Sequence, residues 1–125
     1  MKLIIVRHGE TFENISGICQ GQSDGTLSDK GKLQAKKVAE RLKDEKIDAL
    51  YSSDLQRTVD TANEILRYHP KIELKKDKLL RERYFGEFEG KPFGADFDWN
   101  NLPDSVETDK QMCDRVREFL EKVYP

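Results

Sequence analysis

Only two cysteines occur in this 125-residue chain, Cys19 and Cys113, and they lie far apart. No Cys-x-x-Cys metal pair and no disulfide framework is written in the sequence. Reduced thiols in a cytoplasmic protein are the expectation, since no secretory leader precedes the first apolar run. Histidine is equally scarce, with only His8 and His69. Neither sits among carboxylates at metal-ligand spacing, so no metal and no cofactor are expected. No apolar stretch approaches the roughly 20 residues of a membrane span. Neither sign of charge dominates: 22 basic residues face 24 acidic ones, for a formal charge of −2. That balance, with no basic face or tract, excludes a nucleic-acid footprint. The lysines between Lys71 and Lys78 are interrupted by Glu73 and Asp77, as on a solvated strand face. Repeats and low-complexity segments are lacking too.

What remains is a polar chain with strong apolar periodicity. Hydrophobic residues make up 36% and charged residues 37%, enough for one folded domain over residues 1–125. Lys2-Leu3-Ile4-Ile5-Val6 is a short apolar run that reads as a buried parallel strand, covered on both faces. Arg7 to Leu27 has no sustained period and reads as a long loop. Ser28 is placed to cap a helix reaching about Lys43, with Ala35, Val38, Ala39 and Leu42 on one face. Ile47 to Ser52 reads as a strand. A helix follows from about Leu55 to Tyr68, with Val59, Ala62, Ile65 and Leu66 inward and Pro70 helping to end it. Ile72 to Leu74 alternates like an edge strand. A second long loop covers Arg83 to Pro103. A last helix starts near Ser105 or Thr108 and reaches Val123, with Met112, Val116, Phe119, Leu120 and Val123 as its apolar stripe. Alternating strands and helices predict a three-layer α/β/α sandwich with a mostly parallel sheet.

In open sheets of this class, ligands bind beyond the carboxyl ends of the strands. Those ends carry Arg7-His8-Gly9-Glu10-Thr11, Ser52-Ser53-Asp54-Leu55-Gln56-Arg57, and Leu80-Arg81-Glu82-Arg83. A histidine, two or more arginines and an acid can therefore meet at one edge. The set suits phosphoryl transfer. Guanidinium groups hold phosphate by paired, charge-assisted bonds. A neutral imidazole is a competent nucleophile toward phosphorus, and a carboxyl group can protonate a leaving alcohol. Gly9 admits a close backbone approach, and a helix start near Asp54 would favour an anion.

These motifs resemble those of the histidine phosphatase superfamily, the phosphoglycerate mutase-like proteins. Arg7-His8-Gly9-Glu10-Thr11 with Asn14 resembles the family signature. Gln20-Gly21, Asp24 and Leu27-Ser28 are similar to its next loop. Tyr51-Ser52-Ser53-Asp54-Leu55-Gln56-Arg57-Thr58 with Thr61-Ala62 resembles its second motif. Leu80-Arg81-Glu82 with Phe85-Gly86-Glu87-Phe88-Glu89-Gly90 resembles its third, in the form found in the phosphatase branch. The resemblance implies that His8 is the phosphorylated nucleophile. It implies that Arg7, Arg57 and Asn14 bind phosphoryl oxygens, that Gly21 offers a backbone contact, and that Glu82 is the general acid and then the base. The implied activity is metal-independent hydrolysis of small phosphorylated metabolites, with mutase-type transfer as one alternative.

The family also uses a second histidine on a later strand beside the first. This sequence has no counterpart: His69 falls elsewhere, and the chain closes at Tyr124-Pro125. The chain is therefore expected to be the N-terminal portion of a family domain, C-terminally incomplete. Two further expectations follow. It is a catalytically weak phosphate-binding fragment or module, as a second alternative, and it self-associates through an exposed sheet edge.

Overall fold

In the computed structural model, residues 1–94 and 97–125 are described. Ala95 and Asp96, inside the second expected loop, lie outside the described residues. The element order is α1 (Phe12–Ser16), α2 (Asp29–Arg41), β1 (Leu50–Ser52), α3 (Gln56–Leu66), β2 (Leu74–Lys76) and α4 (Asp109–Val123). Single 3-10 turns occupy Lys78–Leu80 and Gly86–Phe88.

β1, α3 and β2 make one crossover unit. The two strands run parallel, pairing Leu50 with Leu74, Tyr51 with Lys75 and Ser52 with Lys76. The Asp77 amide extends the ladder to the Ser52 carbonyl at 2.8 Å. α3 buries Val59, Ala62 and Ile65 along one face, and each larger apolar side chain so removed from water contributes about 1.5–3 kcal/mol. α2 packs against α3. Its buried positions are Gly31, Ala35 and Ala39, and residues this small let two helix axes approach closely. Ser28 caps α2 as expected, accepting the Gly31 amide at 3.0 Å.

α4 starts in a capping box, Thr108 with Gln111. Phe119 meets the Tyr51 ring edge-on at 5.2 Å between centroids and so seats α4 on β1. Lys122 pairs with Asp77 at 2.8 Å at the same end. A second apolar cluster lies away from the sheet. Cys19, Phe85 and Val106 are buried there, with Phe88, Phe97 and Leu102 packed on them. Backbone bonds tie the two long loops together around it: Cys19 N–H to Lys91 O at 2.9 Å, and Gly90 N–H to Cys19 O at 2.8 Å. Burial pushes the Cys19 thiol up to about 11, so it is packing material rather than a nucleophile.

The α/β class with a parallel sheet matches the expectation, but three local readings need correction. Lys2 to Val6 is not a strand, and Lys2 to Ile5 are exposed while Val6 is half-buried. Leu3 is 61% and Ile5 85% exposed. A parallel strand needs a neighbour for its backbone groups and a layer on each face. Among the described residues, β1 and β2 pair only with each other. The strand expected at Ile72–Leu74 lies two residues later, where the register with β1 sets it. The first long loop contains a helical turn, α1, whose capping box joins Thr11 and Asn14.

Candidate active site

His8 owes its position to two helices. The Gly9 amide donates to Thr61 Oγ1 at 3.1 Å, and the Thr61 hydroxyl donates one turn back to the Arg57 carbonyl at 2.8 Å. α3 thus holds the His8 segment and the Arg57 guanidinium on one frame. On the other side, Gly9 lies against α2. A Cβ on Gly9 would stand 2.9 Å from the Gly31 carbonyl carbon, too close for any side chain.

His8 Nδ1 lies 2.6 Å from its neighbour's carbonyl, Gly9 O. A carbonyl oxygen only accepts, so Nδ1 carries the proton and donates it. In the neutral ring, the lone pair is then on Nε2. Burial is the largest cause that lowers the His8 pKa below the usual histidine value. The Gly9 bond opposes it, Arg57 and Arg7 add to it, and Glu82 opposes it. The imidazole is consequently neutral at neutral pH.

Arg57 is 2% exposed. Its Nη1 donates to Ser23 O at 2.8 Å and its Nη2 to Gly21 O at 2.5 Å. Nε, although buried, has no partner among the described residues. A guanidinium carries five N–H donors, so several remain unspent, and an orphaned buried donor marks a place for an acceptor. Burial lowers the Arg57 pKa, against the raising effects of Glu82, Asp24, Glu13 and Glu89.

The other expected residues are placed less uniformly. Asn14 spends Oδ1 on the Thr11 amide at 2.9 Å, which leaves its amide nitrogen to donate. Arg7 is exposed and makes no side-chain hydrogen bond among the described residues. Arg7, His8, Glu10, Asn14, Gln34 and Thr61 line a cleft of about 410 Å³. Arg57 and Glu82 act on His8 through their charge but do not line that cleft. Gly21, with φ of +54°, gives its carbonyl to the Arg57 guanidinium. Glu82 is exposed, and its Oε1 accepts the Arg83 amide at 2.8 Å. The anion expected at the start of α3 is already supplied by the chain, because the Gln56 amide donates to Asp24 Oδ1 at 3.2 Å. Asp54 instead holds Arg81 by two bonds of 2.7 Å. His69 donates from Nε2 to Leu42 O at 3.0 Å, a brace between the ends of α2 and α3.

Sequence reasoning missed the residues that hold this set in place. Gln22 donates from Nε2 to Glu82 O at 3.2 Å. Glu89 Oε2 accepts the Gln22 and Phe85 amides at 2.8 and 2.9 Å, fixing the loop whose carbonyls hold Arg57. Gly31, a poor helix former just inside a capped helix, is the one member with a visible sequence signal.

A family model described as histidine phosphatase superfamily (branch 1) matches residues 3–124. Phosphoglycerate mutase-like protein 4 of Arabidopsis thaliana is 46% identical over 71% of this chain and 39% of its own length. Phosphoserine phosphatase 1 of Hydrogenobacter thermophilus is 37% identical, over 98% of this chain and 64% of its own. Among solved structures, YhfR of Bacillus stearothermophilus superposes with a TM-score of 0.86 at 28% identity, covering 94% of this chain and 64% of that one. The chain thus spans about two thirds or less of the proteins it matches.

Proposed function

We propose that this chain, which belongs to the histidine phosphatase superfamily, carries the site of a phosphomonoester hydrolase that acts on small phosphorylated metabolites through a phosphohistidine at His8. One observation carries the reading. The Nδ1–H to Gly9 O bond leaves Nε2 unprotonated, beside a buried arginine with unspent donors. In the first step, Nε2 forms a bond to phosphorus as the phosphorus–oxygen ester bond breaks. The Glu82 carboxyl gives its proton to the departing alkoxide, and Arg57, Arg7 and Asn14 hold the phosphoryl oxygens. In the second step, water attacks phosphorus, Glu82 takes its proton, and the phosphorus–nitrogen bond returns its electron pair to Nε2. No metal ion is needed, since the guanidinium groups meet the developing charge.

The family match over residues 3–124 supports reading the chain as a single histidine phosphatase-like unit. A second reading is a phosphate-binding module without turnover. It is favoured by His69 being spent on Leu42, which leaves His8 with no second histidine beside it among the described residues. The two readings separate on a label. The protein is mixed with 32P-labelled p-nitrophenyl phosphate, denatured, and assayed for acid-labile, alkali-stable phosphate. Label on His8, lost in His8→Ala, supports the enzyme. No label, under conditions where a full-length relative is labelled, supports the module. Appearance of the label in an added alcohol rather than in inorganic phosphate would point to mutase-type transfer.

A further inference from the structure

We infer that Arg115 is a positioning residue for Glu82, with Glu107 as its counter-charge; the inference rests on the acid role proposed for Glu82. Arg115 lies on α4, remote in sequence from every motif described above. Its side chain is 15% exposed and that of Glu107 12%. All five of its N–H donors are engaged. Nε donates to Glu107 Oε2 at 2.6 Å and Nη2 to Glu107 Oε1 at 2.8 Å. Nη1 donates to Leu79 O at 2.8 Å and Arg81 O at 2.6 Å, and Nη2 to Glu82 O at 3.1 Å. Three carbonyls within four consecutive residues therefore converge on one rigid fork.

Glu107 completes the grip from the other side. Its Oε1 accepts the Tyr84 amide at 3.0 Å, and its amide donates to Tyr84 O at 2.8 Å. The Arg115 bond is the largest cause holding the Glu107 carboxyl below the usual range. The backbone is thus clamped at Leu79, Arg81 and Glu82 by the cation and at Tyr84 by the anion. Glu82 sits within the clamp, an exposed residue with one carboxylate oxygen on the Arg83 amide. A general acid must be placed closely to be effective, and its own flexible side chain cannot supply that placement. The fold supplies it through the backbone.

Lysine keeps the charge but has three donors and no fork, so Arg115→Lys must release at least two of the five acceptors. The reference is Glu82→Gln, which should slow hydrolysis of phosphoserine more than that of p-nitrophenyl phosphate, because a good leaving group needs little protonation. Arg115→Lys should copy that pattern. The expected losses in kcat are about tenfold or more on phosphoserine and about twofold on p-nitrophenyl phosphate, with KM within about twofold. Equal losses on both substrates, or a loss confined to KM, would overturn the inference. Amide hydrogen exchange reads the clamp without turnover. Exchange at Arg83 and Tyr84 should quicken by about tenfold in Arg115→Lys while α3 amides keep their rates. Unchanged exchange at those two amides refutes the clamp. Quickened exchange together with a uniform Glu82→Gln loss refutes the acid role and leaves the clamp standing. Should Arg115→Lys fail to fold, Glu107→Gln is read by the same two measurements, with the same outcomes deciding.

Discussion

Gly9 and Gly31 face each other so closely that neither position has room for a Cβ. A Cβ on Gly31 would fall on the Glu10 carbonyl oxygen, and one on Gly9 on the Gly31 carbonyl. The histidine loop and the first turn of α2 are in backbone contact there. Gly31→Ala should therefore destabilise the protein, although alanine is the better helix former by about 1 kcal/mol. Overpacking against a backbone costs about 1–3 kcal/mol. Thermal unfolding would check this, and a raised midpoint would show that the two segments separate at no cost.

His8→Ala should abolish hydrolysis, since water cannot replace a covalent nucleophile. His69→Ala should leave turnover within about twofold and lower stability by about 1–3 kcal/mol through the orphaned Leu42 carbonyl. Steady-state assays of both variants decide it, and equal losses of activity would remove His8 from the role proposed for it.

The pH dependence has a definite sign. Because burial lowers the His8 pKa in the folded state, the unfolded chain binds the proton more readily, and protonation favours unfolding. Stability from this group is present above about pH 6.5 and is lost as pH falls through that region. Asp54, Asp77 and Glu107 have depressed folded pKa values because of bonds to Arg81, Lys122 and Arg115. Their contributions are present above about pH 4 and are lost below it. Denaturant melts from pH 3 to 8 should show stability climbing through both windows. The acid limb of activity should lie below the ordinary histidine value, since the neutral imidazole persists there. An acid limb above about pH 6.5 would contradict the burial of His8.

Leu3 and Ile5 present an apolar segment to solvent, and exposed apolar patches of this kind draw other chains. The chain is expected to self-associate at micromolar concentration. Ile5→Lys should shift the light-scattering mass toward the monomer without changing the His8 label. A wild-type monomer that stays monodisperse on concentration would refute this.

Much of the site was legible because it is local. Arg7 to Thr11 and Ser52 to Arg57 sit in short windows whose residue types already carry the chemistry, and Ser28 and Thr108 announce their helices by capping geometry. The misreadings share a physical origin in contacts distant in sequence. Lys2 to Val6 has the composition of a buried strand, but burial depends on neighbours that composition does not encode. β2 shifted by two residues because the register with β1, not its own alternation, sets its limits. Arg115 went unseen since it acts on backbone groups tens of residues away, and a lone arginine in an amphipathic helix looks like any solvated charge; Glu89 stood in the third motif, but its bond to the Gln22 amide was not legible there.

The second long loop has an optical consequence. Trp99 is the sole tryptophan. It packs edge-on to Phe97 at 4.9 Å and to Phe85 at 5.7 Å, and it is 59% exposed. The intrinsic fluorophore thus belongs to the aromatic cluster over Cys19, not to the sheet. Its emission reports the docking of that loop, whereas far-ultraviolet dichroism reports α2, α3 and α4. Where the loop lifts before the helices melt, the two signals part company. A red shift of the emission at a denaturant concentration that leaves the dichroism intact would then measure the opening of the loop alone.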